Sequence, residues 1–238
     1  SNALLAGLED SLVLQRQFMP DAWHELRTPV TTARTAATVA LQQPHRDEAE
    51  YRETLAIIEQ EMARLSRIVD DMFTLARADA GRHPVRATPM YLDEVVDEAV
   101  RALRVVASTR QVEITSHVLR PAPFTGDEDL IRRLIVNILD NAVRYAPSQG
   151  TVRVALDRAG ERYAISVSDD GPGIPAEIQP RIFERFYRVD AARTHVKDGG
   201  AGLGLALARW IATVHGGDVV LAASSGVGST FVISLPAT

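Results

Sequence analysis

Phe18-Met19-Pro20-Asp21-Ala22-Trp23-His24-Glu25-Leu26-Arg27-Thr28-Pro29 sets a histidine and a glutamate side by side, with a proline five residues past the histidine. Around it apolar residues, among them Leu4, Leu8, Leu12, Met19, Trp23, Leu26, Val30, Ala33, Ala37 and Leu41, recur mostly three or four apart. That spacing predicts an amphipathic helix from Leu4 to about Gln42. On its surface His24, with one ring nitrogen free, is a nucleophile, and the adjacent Glu25 carboxylate can hold the other N–H and fix the tautomer. Pro29 cannot donate to the carbonyl of Glu25, so a bend is expected just after the pair. His24 is the candidate acceptor or base. His45, His83, His117, His195 and His215 lack such company and are read as solvated or structural.

Outward from this stretch, Pro44-His45-Arg46-Asp47 breaks the pattern, and Asp47 is a plausible N-cap. A second helix then carries Tyr51, Leu55, Ile58, Met62, Leu65, Val69, Met72 and Ala76 in alternating steps of four and three, a heptad seam. A lone hairpin leaves such a seam wet. Two copies bury it as an antiparallel four-helix bundle, so a homodimer is expected. Ala80-Gly81-Arg82-His83-Pro84 ends the helix, with Gly81 suited to its C-cap region.

The chain of 238 residues exceeds the usual single domain, and 46% hydrophobic residues suffice for ordinary cores. The organisation expected is 4–80 as a helical domain, 81–88 as a linker and 89–238 as a second domain. With no cysteine, disulfides and thiolate chemistry are excluded. A net charge of -5 argues against a nucleic-acid surface. No apolar run approaches the roughly 20 residues that cross a bilayer, and no signal peptide is visible, so a soluble chain is expected. Ser1-Asn2-Ala3 looks like a cleavage remnant, and the helical pattern is already running at Leu4. A fragment of a longer protein is the expectation.

After the linker the pattern changes to short alternating runs mixed with helices. Strands are expected at Met90–Leu92, Val112–Val118, Val152–Leu156, Tyr163–Val167, Val219–Leu221 and Thr230–Leu235. Helices are expected from Leu92 to about Val106, over Asp127–Tyr145 and over Gly202–Val214. The fold class is α+β: the helical hairpin, then an α/β sandwich with helices on one face of a mixed sheet.

Unusual chemistry is concentrated in four segments of the second domain. In Asn137-Ile138-Leu139-Asp140-Asn141-Ala142-Val143-Arg144-Tyr145, Asn137 and Asn141 share a helix face. Their amide oxygens suit a hard cation such as Mg²⁺, and Arg144 offers a fork for phosphate. Asp169-Asp170-Gly171-Pro172-Gly173-Ile174 follows a strand. An acceptor-only carboxylate there favours adenine's exocyclic amine over guanine's carbonyl, although alone the segment reads as an ordinary turn. Gly199-Gly200-Ala201-Gly202-Leu203-Gly204-Leu205 opens a helix and offers N–H groups to phosphate, without the context of a Rossmann unit or P-loop. Gly226-Val227-Gly228-Ser229-Thr230 turns into the final strand.

His24-Glu25-Leu26-Arg27-Thr28-Pro29, with Phe18 and Asp21 before it, resembles the H-box of two-component sensor histidine kinases, whose histidine is phosphorylated. The four later segments, in order, resemble the N-box and glycine-rich boxes of the Bergerat (GHKL) ATP-binding fold. Phe183, Phe186, Tyr187 and Arg188 look like the F-box of these kinases. The resemblance implies ATP and Mg²⁺ as cofactors, with Asn141 and nearby Asn137 serving the metal and Asp169 holding adenine. Gly171, Gly173, Gly200, Gly202 and Gly204 would line the nucleotide, with Arg144, Tyr145, Ile174, Phe186, Arg188, Leu203, Leu205 and Thr230 completing that set. The polar run Ala191–Asp198 is expected to be a lid.

By the same resemblance the γ-phosphoryl group goes to His24, with Glu25 orienting and deprotonating the imidazole. It then passes to an aspartate of a response-regulator receiver domain, which Thr28 helps to dephosphorylate. A parent protein of the bacterial inner membrane, with upstream sensor and membrane segments, is implied, this part being cytoplasmic. The rival readings are a Bergerat ATPase clamp and a catalytically inactive dimeric scaffold. Hydrolysing relatives carry glutamate where Asn137 stands, which favours transfer. The chain departs from the family at Trp23, where a small residue is usual, and at Val30, where leucine is commoner.

Overall fold

A computed structural model describes residues 2–42, 47–81, 83–188 and 200–237, with side chains of α1 described from Pro20 onward. The turn expected at 44–46 and the lid expected at 191–198 lie outside the described residues. Two compact units, Ser1–Thr74 and Leu75–Thr238, divide the chain.

In the first unit α1 (Asn2–Gln42) runs as one helix through Pro20 and Pro29. Helix α2 (Glu48–Asp79) opens on a reciprocal cap. The Glu50 N–H donates to Asp47 Oδ1 at 2.8 Å, and the Asp47 N–H donates to Glu50 Oε2 at 3.2 Å. Two N–H groups that the first turn cannot satisfy internally are thereby paired, and Asp47 is the N-cap. Beyond the far end of α2, Gly81 takes φ +61° and donates to Ala78 O at 2.9 Å, a left-handed stop that glycine adopts without a Cβ penalty.

The single seam read from α2 divides in two. Ile58, Leu65 and Met72 are half-buried in step with buried Thr54 and Ile68, whereas Tyr51, Leu55 and Met62 stay exposed. On α1 the small residues Ala22, Ala33 and Ala40 are buried and the larger Trp23, Val30 and Leu41 face outward. An apolar stripe wider than one helix contact serves two neighbours, and a hairpin supplies only one.

In the second unit β1 (Thr88–Tyr91) opens at the last residue read as linker and pairs antiparallel with β3 (Pro123–Gly126), a strand the sequence reading lacked. The main sheet comprises β2 (Glu113–Val118), β4 (Thr151–Ala159), β5 (Arg162–Asp169), β6 (Asp218–Ser225) and β7 (Gly228–Pro236). Its order is β2-β4-β5-β7-β6, parallel between β2 and β4 and antiparallel elsewhere. Helices α3 (Leu92–Thr109), α4 (Glu128–Tyr145) and α5 (Gly204–Val214) lie against this sheet.

Period-two alternation decides which face they cover. Val152, Val154 and Leu156 of β4, Tyr163, Ile165 and Val167 of β5, and Phe231, Ile233 and Leu235 of β7 are buried, and the residues between them are more open. Against them α4 buries Leu130, Ile131, Leu134, Ile135, Ile138 and Leu139, each contributing roughly 1.5–3 kcal/mol. The core is therefore one layer, between helices and a single sheet face.

The two ends of this layer are tied by a histidine. His215 Nδ1 donates to Ile211 O at 2.7 Å, and Nε2 accepts the Asp127 N–H at 3.0 Å. Asp127 in turn caps α4, its Oδ1 accepting the Leu130 N–H at 3.2 Å. These bonds fix the start of α4 to the end of α5, and so set how the opposite ends, which carry the unusual segments, meet.

Candidate functional site

On α1, His24 is exposed and Glu25 half-buried. Arg64 of α2 places Nη2 4.0 Å from Glu25 Oε2, so the carboxylate beside the imidazole is oriented from the neighbouring helix. The Thr28 hydroxyl donates to His24 O at 3.2 Å. Trp23 neither enters the hairpin nor closes over it; it is 63% exposed. His24, Glu25 and Thr28 thus lie within two turns of one helix, His24 and Thr28 exposed and Glu25 turned toward α2.

In the second unit two of the other segments, through Gly171, Gly200 and Gly204, meet the C-terminal half of α4, and the fourth meets Asp169 through Gly228. Asn137, Asn141, Arg144 and Tyr145 are all half-buried on that half of α4. Gly204, the first residue of α5, faces the first of them: a carbon built on it falls 3.7 Å from Asn137 Oδ1. The N-cap of α5 is buried Leu203, which makes no side-chain cap bond, so this residue leaves the N–H groups and positive dipole end of the helix uncapped. Among the described residues, buried Asn137 Nδ2 has no hydrogen-bond partner. A buried amide with hydrogen-bonding capacity to spare beside a helix N-terminus fits a phosphate oxygen or a hydrated cation. A half-turn of the amide offers oxygen in place of nitrogen, so the residue suits either.

Asp169 ends β5 at 6% exposure, and its Oδ1 accepts the Gly171 N–H at 2.8 Å. Burial raises this carboxyl above its ordinary value; the N–H groups of Gly171 and Ser229 pull it down, and the charge of Asp170 pushes it up. Asp170 lies in the opposite situation. It accepts the Thr151 N–H and an Arg153 Nη2 donor, each at 2.9 Å, and these hold it below its ordinary value. Against Asp169 stands Gly171, where an added carbon falls 2.8 Å from Tyr145 O. The turn therefore abuts the end of α4, and only glycine lets it do so.

The remaining residues frame this arrangement. Gly173 has φ +72°, and an added carbon falls 1.7 Å from Ser225 O. The Ile174 N–H donates to Ser224 Oγ at 2.7 Å, and Ser168 and Thr230 share a hydroxyl contact of 2.9 Å across β5 and β7. Gly202, also at φ +72°, accepts the Phe186 N–H at 2.9 Å. Gly200 leaves room for Arg144: a carbon added there falls 2.7 Å from Nη1. Leu205 is half-buried on the first turn of α5, and exposed Arg188 is the last described residue before Gly200. Among the described residues no group of three or more His, Cys, Asp or Glu side chains is placed to hold a metal.

Sequence reasoning omitted Asp140, Arg153, Ser224 and Arg64. Asp140 was legible, because it stands four residues before Arg144 on a helix and the two pair at 2.6 Å. The others meet their partners only through tertiary register.

Two family models match the chain: "His Kinase A (phospho-acceptor) domain" over residues 14–81 and "Histidine kinase-, DNA gyrase B-, and HSP90-like ATPase" over 126–238. Among curated proteins, the sensor protein IrlS of Burkholderia pseudomallei is 37% identical, aligned over 99% of this chain and 50% of its own length. The Escherichia coli sensor histidine kinase CusS is 34% identical over 99% of this chain and 48% of its own. The chain spans about half the length of the curated relatives it matches. Among solved structures, the mycobacterial sensor histidine kinase MprB is 31% identical over 63% of this chain and 97% of that one, with a TM-score of 0.54.

Proposed function

We propose that this chain, which belongs to the sensor histidine kinases, transfers the γ-phosphoryl group of ATP to its own His24 and then to an aspartate of a response regulator. Residues 4–80 serve dimerisation and phosphotransfer, and residues 89–238 bind the nucleotide. The observation that carries the reading is Asn137. An amide, its buried nitrogen without a hydrogen-bond partner among the described residues, occupies the place on α4 where hydrolysing members of the fold carry a water-activating glutamate. A site without that base positions a triphosphate without spending it on water.

Phosphoryl transfer asks for in-line placement and charge neutralisation more than for covalent help. Asp169 accepts the exocyclic amine of adenine, and the glycines at 171, 173, 200, 202 and 204 let backbone approach the ligand. Arg144 and the uncapped N–H groups of α5 hold phosphate oxygens. Mg²⁺, taken by Asn141 and Asn137 with phosphate oxygens, supplies the remaining positive charge when bound. At the acceptor, a lone pair of the His24 ring attacks the γ-phosphorus as the bond to the ADP oxygen breaks. The proton on the other ring nitrogen passes to Glu25, which Arg64 keeps aimed. Thr28, one turn on, aids the reverse task of dephosphorylating the regulator.

Exposed Trp23, Val30, Tyr51, Leu55 and Met62 form the apolar surface that a second copy covers in a four-helix bundle. The partner reading is supported by ThkA, whose structure in complex with the response regulator protein TrrA has a TM-score of 0.73 to this chain at 20% identity. No helix among the described residues is long and apolar enough to cross a membrane. The reading adopted is a cytoplasmic portion of a longer sensor in the inner membrane, and it is supported by sensor relatives about twice this chain's length.

Incubation with γ-labelled ATP and Mg²⁺ tests the assignment. The chain gains an acid-labile label, His24→Gln gains none and still binds nucleotide, and added receiver domain removes the label from the chain. A label that persists in His24→Gln overturns the reading.

A further inference from the structure

Arg144 is tied to Arg110 and Asp140 and runs close under Gly200. Its carbonyl accepts Arg110 Nη2 at 3.0 Å, its Nη2 meets Asp140 Oδ2 at 2.6 Å, and its Nη1 lies where any side chain at residue 200 would stand, 2.7 Å from a carbon built on Gly200. Asp140 and Arg144 are one turn apart on α4, with side chains 39% and 21% exposed, so the pair is neither sealed in the core nor free in water. An unrestrained arginine distributes its fork over many rotamers. One tied through Nη2 has the plane of its guanidinium fixed in direction. Here that direction is the backbone of the glycine loop, one turn of chain ahead of the uncapped start of α5.

We infer that Asp140 is a positioning residue for phosphate recognition: it holds the Arg144 guanidinium beneath Gly200 so that Nη1 and Nε meet the nucleotide's phosphate chain. The inference rests on the nucleotide-site reading above and assigns within it a residue that touches no ligand. Asp140 carries a negative charge close to where phosphates are to lie, and by Coulomb's law alone its removal favours them. Orientation and charge therefore act in opposite directions, and truncation separates them. Asp140→Asn keeps an oxygen that accepts from Nη2 and drops the charge. Asp140→Ala drops both.

The test is equilibrium binding of ATP, with Mg²⁺, and of adenosine to the whole 238-residue chain. Adenosine reports the adenine contacts and is blind to Arg144. Asp140→Ala is expected to weaken ATP about tenfold, the equivalent of one charge-assisted hydrogen bond, and to leave adenosine within about twofold. Asp140→Asn restores ATP affinity to within about threefold of the parent. Gly200→Ala, which displaces Nη1 from the opposite side, reproduces the ATP-selective loss without touching Asp140. ATP affinity that holds or rises in Asp140→Ala overturns the inference, as does a parallel loss for adenosine, which marks a merely structural role. A parent chain that binds adenosine and ATP equally sinks the phosphate site itself, and with it this assignment; a parent that prefers ATP while Asp140→Ala matches it sinks the assignment alone.

Discussion

Asp169 and Asp170 are consecutive residues held in opposite electrostatic environments: the first is buried at the end of β5, and the second reaches back to Arg153 at 2.9 Å. Burial raises Asp169 above the ordinary 3.8, while the Thr151 N–H and Arg153 hold Asp170 below it. The signs follow by linkage. Ionised Asp169 costs stability, a cost that is absent at low pH and appears as pH rises through its folded value. Asp170 contributes stability that is present above the ordinary carboxylate value and is lost as pH falls through its lower, folded one. Carbon-13 NMR titration of the two carboxyls is expected to show Asp169 titrating at the higher pH; the reverse order contradicts the assignment.

A corollary concerns function against stability. Asp169→Asn removes a buried charge and keeps an acceptor for Gly171, so the nucleotide-free variant is expected to melt a few degrees higher at neutral pH. The gain shrinks as pH falls toward the carboxylate range. ATP binding falls by about tenfold to a hundredfold, the worth of a hydrogen bond to a charged acceptor. Calorimetric melting across pH, alongside binding, checks both halves.

His215 accepts from Asp127 through Nε2 and donates through Nδ1, which requires the neutral Nδ1–H tautomer. His215→Ala strands the Asp127 N–H and opens a cavity, at an expected cost of about 2–4 kcal/mol. Urea titration measures the cost, and nitrogen-15 shifts of the ring report the tautomer. A loss below about 0.5 kcal/mol contradicts the role as a tie between α4 and α5.

Two glycines of the nucleotide region supply an internal control. Gly173→Ala combines φ +72° with a carbon 1.7 Å from Ser225 O, and is expected to cost roughly 3 kcal/mol or more. Gly226→Ala meets nothing within 4 Å and is expected to stay within about 0.5 kcal/mol of the parent. Denaturation midpoints of the two variants side by side settle the contrast.

Leu55 is 64% exposed on a helix whose neighbours on the same stripe, Tyr51 and Met62, are also open. If a second copy covers them, Leu55→Glu shifts the chain from dimer to monomer, and light scattering after size exclusion reads the halved mass. Melting of the parent then depends on protein concentration and that of the variant does not.

Much of this was legible in the amino-acid order, because each signal was local. The Asp47 cap, the Gly81 stop and the helices α3 and α4 follow from local sequence alone, with helix ends placed to within three residues. Strand β3 was not legible: Pro123 opens a four-residue strand whose only partner, β1, lies more than thirty residues upstream. The α2 seam was read as one stripe because periodicity gives the apolar positions without saying which neighbour each one meets. At the site, the asparagines, glycines and Asp169 announced themselves through unusual local chemistry. Arg153 and Ser224 did not, since an arginine on a strand and a serine before a turn acquire meaning only when register sets them against Asp170 and Ile174.

The main sheet carries its helices on one side only, and Ser166 of β5, between buried Ile165 and Val167, points to the other. Because the chain has no cysteine, Ser166→Cys installs the sole thiol in the molecule. A fluorophore or spin probe coupled there rides on the sheet face opposite the helices of the nucleotide domain. The bare flank of the sheet is thus an instrument port, from which domain motion can be followed by spectroscopy while the opposite flank goes about its chemistry undisturbed.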